Sequence, residues 1–238
     1  RSPGSAIIND GAPARYNVRR LVEYSDFGSW SDVSRRFAPL YEKASTLSDD
    51  ALRAEISKIA ATSKTPIERA EAALRLVQDH VRYVYVGLDG GNYRPASADE
   101  TWQRRFGDCK AKTAMLLALL RELNIDAEPV LVDAFGGDGT DVWLPRPDVF
   151  NHVVVRAKIG GQSYWLDGTR MGDRNLDMLP SPAFRWALAV KSNGSELEAV
   201  APKELTRPQS VGVVEIDASE GFDKPASVNA QHVMRQDE

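Results

Sequence analysis

The chain has 238 residues, 42% hydrophobic and 27% charged, which is enough for one core of about 150 residues with appendages. A formal charge of −4, with no Lys/Arg cluster interleaved with aromatics, excludes the electrostatic footprint of a nucleic-acid binder. The single cysteine, Cys109, excludes an internal disulfide and the paired thiols of zinc ribbons and dithiol redox sites. The apolar run "AMLLALL" falls far short of the roughly 20 residues of a membrane helix.

Arg1 is followed by neither a signal pattern nor a lipidation motif, so the sequence reads as a trimmed or mature fragment. Residues 1–15 are rich in turn formers and read as a loose lead-in, and "YNVRRLVEY" (16–24) reads as a strand. "SWSDVSRRFAPLYEKA" spaces Trp30, Val33, Phe37 and Leu40 three or four apart, predicting a helix that Pro39 kinks or stops. A second helix over 49–61 carries Leu52, Ile56 and Ile59 at the same spacing. The third opens with Thr65, Pro66 and Glu68, a capping box with proline at the first helical position, and its stripe is Ile67, Ala70, Leu74, Val77 and Val81. "RYVYVGL" (82–88) reads as a short strand and 89–95 as a loop. Ser97 with Glu100 then caps a brief helix ahead of Trp102.

Past the helix that begins at Cys109, "AEPVLVDA" (127–134) alternates like a strand, and the glycine-rich, acidic stretch 135–148 is too polar for a core and reads as an exposed loop. Asp138 and Asp141 within it lack the fixed ligand series of an EF-hand and read as solvated. "HVVVRAKI" and "SYWLDGT" flank "GGQ", a hairpin signal. Beyond 190, two weaker strand signals (211–217 and 226–234) resemble the opening of another β unit. Helices first and an antiparallel sheet after them make an α+β layout.

Cys109 stands where a glycine-containing turn meets an apolar helix. A helix N-terminus favours a thiolate through unpaired N–H groups and the helix dipole, its amides could serve as oxyanion donors, and Lys110 and Lys112 add positive charge nearby. Gly107 lets the chain turn sharply into the helix. A cysteine nucleophile needs an imidazole to take its proton, and the imidazole needs a group to orient it. Of the three histidines, His80 has no carboxylate arranged for it and His232 lies in the tail, whereas His152 begins the first hairpin strand. A two-residue turn at Gly160 and Gly161 puts Ile159 opposite Gln162 and Val154 opposite Asp167, so His152 and Asp167 share a face as diagonal neighbours. Trp165 shares that face.

Together, "RRFGDCKAKTAMLLALLRELNIDAEPVLV", "FNHVVVRA" and "YWLDGT" resemble the bacterial transglutaminase-like superfamily, over about residues 30–190. The resemblance implies a papain-like α+β core with N-terminal helices packed on an antiparallel sheet, and a triad of nucleophile Cys109, base and acid His152, and orienting Asp167. It implies no cofactor and no metal, peptide or protein substrates, and a periplasmic or envelope-associated setting. It divides the chain into a lead-in over 1–29, a remnant of a preceding β domain, a catalytic core over 30–190, and an extension over 191–238 that starts a C-terminal β domain. Ala111 departs from the family's frequent acidic residue two positions after the cysteine. Gln103 and Tyr93 are candidates for a further oxyanion donor, and Trp143 for a groove wall, while Trp102 reads as packing.

The expected activity is acyl transfer on peptide or protein amides through a Cys109 thioester, resolved by water or by an amine. The alternative is a non-catalytic binding or assembly module that keeps the fold.

Overall fold

Helix starts follow from their caps. In the computed structural model, which describes residues 13–16, 22–86, 93–180, 182–202, 208 and 210–234, α1 (Trp30–Ala44) begins after Ser29, whose side chain accepts from the Asp32 amide. Asp49 caps α2 (Asp50–Thr62) in the same way. At α3 (Pro66–His80) the capping box between Thr65 and Glu68 is formed in both directions at 3.2 Å. α1 does not stop at Pro39: that residue and Arg35, whose carbonyl loses its donor, both lie on the exposed face, where water can substitute.

Among the described residues, neither of two expected strands is seen at the length the sequence suggests. Ala14–Tyr16 forms a 3-10 turn and 22–24 are unpaired, while 1–12 and 17–21 lie outside the described residues. Of residues 82–86 only β1 (Arg82–Tyr83) forms a strand, and 87–92 also lie outside the described residues. α4 (Ala98–Arg104) starts at the Ser97 cap, which accepts from Glu100 N at 3.1 Å, and ends at Arg105 with φ 59°. β2 (Phe106–Gly107) follows and pairs in parallel with β1, with Tyr83 opposite Gly107.

α5 (Cys109–Glu122) is buried at every position from Cys109 to Leu120, because it packs on α1, α3 and α4 as well as on the sheet. An all-round apolar surface is what such a central helix requires. The sheet contains β3 (Asp126–Val132), β4 (His152–Ile159), β5 (Gln162–Leu166), β6 (Trp186–Ala189) and β7 (Glu198–Ala199), all antiparallel, in the order β5-β4-β3-β6-β7. Leu131, Val153, Val155, Leu166 and Leu188 belong to the main core with α5, whereas Val130, Val132, Val154, Ala187 and Ala189 form a second cluster with Phe184 and Trp165. The period of two puts these sets on opposite faces.

The β4–β5 turn is the two-residue one the sequence predicts. Gly160 and Gly161 have φ of 60° and 80°, and Ile159 faces Gln162. β8 (Ser210–Asp217) and β9 (Ser227–Met234) form a separate hairpin with nearly every side chain exposed.

Candidate active site

The first turn of α5 is built tightly. Asp108 is its N-cap, accepting from Ala111 N at 3.0 Å through one carboxylate oxygen and pairing with the buried Lys110 ammonium at 2.5 Å through the other. Gly107 is needed for space rather than for a positive φ: a Cβ there would lie 2.8 Å from the Ala111 Cβ and 3.2 Å from Thr101 Cγ2. The same contact gives the small residue at 111 a physical reason, since a larger side chain would press on β2. Thr113, one turn further, donates to the Val153 carbonyl at 3.1 Å and ties α5 to β4 beside His152.

His152 opens β4 opposite Val132, and Asp167 lies one residue past β5, in line with Val154. His152 Nε2 is 2.8 Å from Asp167 Oδ2, and Cys109 lies near enough to the ring to favour its charged form. The three side chains therefore gather at one place, the carboxylate bonded to the imidazole and the sulfur near it. Burial disfavours the charged imidazole, but the bond to Asp167 and the nearby Cys109 outweigh it and raise its pKa to about 10. Burial likewise opposes the Asp167 carboxylate. It is overcome by His152 and by Thr169, whose amide and hydroxyl donate to Oδ1 at 2.8 and 2.7 Å, so the pKa is lowered. Gln78 fixes the backbone here, donating to the Asp167 carbonyl at 2.9 Å and to Asp173 at 2.8 Å.

Several residues around this chain have no signal in sequence spacing. Tyr83, held opposite Gly107 by the β1–β2 pairing, is 37% exposed, and burial and then the charges of Cys109, Asp108 and Asp167 raise its pKa to about 12. Lys112 is buried under Gly168, and its ammonium donates to the Val81 carbonyl. Burial lowers its pKa to about 8, against the pull of Asp167 and Asp79. Lys110 and Lys112 are thus both engaged in the interior, a correction to their reading as charges simply added beside the thiol. Cys109 itself is only 1% exposed.

Beyond the imidazole is a cavity of about 340 Å³ lined by His152, Asp167, Val154, Trp165, Phe184 and Arg170, among others. Trp165 and Phe184 meet edge to face in its wall at 5.1 Å.

The remaining sequence candidates are occupied elsewhere. Gln103 is exposed and donates to Asp49 at 2.9 Å, and Tyr93 packs edge-on against Phe37 at 5.3 Å. Trp102 is core, with the Arg105 guanidinium 3.3 Å above its ring, and the half-buried Trp143 lies 4.9 Å under Arg146. Asp138 binds Arg15 at 2.7 Å, with Asp141 at 3.7 Å from the same guanidinium. Among the described residues no group of three His, Cys, Asp or Glu could hold a metal ion, and no helix is long and apolar enough to cross a membrane. His80 is exposed near Trp102, and His232 bonds Ser210 in the tail hairpin.

Comparison with curated proteins finds no match. Among solved structures, the chain is similar to a "putative protease" from Parabacteroides distasonis, at 12% identity and a TM-score of 0.56, over 83% of this chain and 39% of that one. It is also similar to a "putative cysteine protease" from Cytophaga hutchinsonii, at 21% identity and a TM-score of 0.39, over 89% of this chain and 56% of that one. The chain thus spans about two fifths of the first neighbour's length and just over half of the second's. At this identity the first neighbour speaks for the fold alone: mixed helices and an antiparallel sheet. The model of the transglutaminase-like superfamily matches residues 53–167 of this chain, from within α2 through Asp167.

Proposed function

We propose that this chain carries out thiol-dependent acyl transfer on peptide or protein amides. The observation that carries the reading is the Asp167–His152 pair at 2.8 Å with Cys109, at the start of a buried helix, near enough to the imidazole to favour its charged form. His152 takes the thiol proton and remains charged beside Asp167. The Cys109 sulfur attacks the amide carbonyl, the tetrahedral adduct collapses, and His152 hands its proton to the departing amine. The thioester left on Cys109 is then resolved by water, giving net hydrolysis, or by an amine, giving a new amide. Hydrolysis is the favoured outcome, in keeping with the protease description of the Parabacteroides neighbour.

One observation favours a second reading, a binding module without turnover: the thiol is covered at rest. Alkylation separates the two. Under the catalytic reading, iodoacetamide modifies Cys109 faster than it modifies an ordinary cysteine at neutral pH, and His152→Ala slows the reaction. Alkylation at the ordinary rate in both proteins would favour the binding module.

A further inference from the structure

Beside the thiol, the interior contains a donor with nothing to bond. Tyr41, on α1, is 2% exposed, and its hydroxyl has no hydrogen-bond partner among the described residues, the Cys109 sulfur included. A buried polar group left unpaired is costly and uncommon in folded proteins. The charges that bear on this hydroxyl are those of Cys109 and then Asp108, which locates it at the N-terminal end of α5. Burial, reinforced by those charges, holds its pKa well above the ordinary tyrosine value, so it keeps its proton and stays a donor.

We infer that the Tyr41 hydroxyl is an oxyanion donor, unpaired at rest because its acceptor exists only while Cys109 is being acylated. The inference rests on the acyl-transfer reading above and adds to it a catalytic residue on α1. A donor serving the sulfur would bond it at rest. A donor serving the oxygen of a carbon newly bonded to sulfur stands off from the sulfur by the width of that oxygen. As the sulfur bonds to the carbonyl carbon, the π pair of the carbonyl moves onto oxygen and Tyr41 donates a hydrogen bond to it while keeping its own proton. On collapse the carbonyl re-forms and the bond to the leaving group breaks. Because both Cys109 and Tyr41 are covered at rest, substrate entry has to uncover the thiol and this hydroxyl together for the donor to act.

The test compares the parent with Tyr41→Phe using two probes. Acylation by p-nitrophenyl acetate passes through an oxyanion and releases nitrophenolate. Alkylation by iodoacetamide, a displacement at saturated carbon, forms none. The expected result is that Tyr41→Phe resists urea at least as well as the parent and is alkylated at the same rate, while its nitrophenolate burst slows about 10²–10³-fold. An undiminished burst overturns the assignment. So does a parallel fall of burst and alkylation, which would mean the hydroxyl acts on the thiol, and so does a loss of stability, which would mean it has a structural partner. A parent that is alkylated but shows no burst sinks the acyl-transfer reading itself, and this inference with it.

Discussion

Burial works against a charged imidazole at His152, and the bond to Asp167 and the nearby Cys109 overcome it, so the fold keeps a proton that a solvated histidine gives up near pH 6.5. The linkage has a definite sign. The stability conferred is complete below pH 6.5, where both states hold the proton, shrinks above it, and is lost as the pH rises through about 10. Lys112 pulls the other way from about pH 8 to 10.5, where the fold has released a proton that the unfolded chain still holds. Urea midpoints taken at about pH 6 and pH 8 should therefore fall more steeply in the parent than in His152→Gln. Equal slopes would mean the imidazole holds no extra proton. At this scale the histidine and the aspartate were legible in sequence because hairpin parity is arithmetic: a two-residue glycine turn fixes which side chains share a face. Tyr41, Tyr83 and Lys112 were not legible. Their partners are 26 to 68 positions away, as in Tyr83 beside Cys109 or Tyr41 beside Cys109, or are backbone carbonyls such as that of Val81, and no local spacing encodes them.

At the scale of elements, the fit of β2 against the first turn of α5 holds the thiol in place. Gly107→Ala would put a methyl group 2.8 Å from Ala111 Cβ, between two backbones that cannot both yield. Overpacking of this kind destabilises by about 1–3 kcal/mol. The expected outcome is a lower urea midpoint together with slower alkylation of Cys109, and an unchanged midpoint would show that the turn relaxes freely. The helices and hairpin strands were readable because caps and period are local properties. β1 was not readable at its true length. "RYVYVGL" has strand composition, yet among its described residues only Arg82 and Tyr83 pair as a strand, since β2 is itself two residues long. Pro39 reads as a stop in isolation, whereas on an exposed helix face its missing hydrogen bond is replaced by water.

At the scale of the whole molecule, the core through β7 and the β8–β9 hairpin are unequal in their burial. The hairpin pairs with itself and exposes Val214, Ile216, Val228 and Met234, and an isolated two-stranded hairpin adds little stability of its own. Ending the chain at Pro202 should leave the urea midpoint of the remainder unchanged, and a marked drop would show that the hairpin supports the core. The account as a whole depends on a reactive sulfur served by a histidine from a different layer of the fold. Intact-mass spectrometry after exposure to a peptide library tests this most directly. The parent should gain an acyl adduct on Cys109 and release processed peptides, His152→Ala should acquire the adduct about 10²–10⁴ times more slowly, and Cys109→Ala should do neither. Peptides processed equally well by Cys109→Ala would contradict the account.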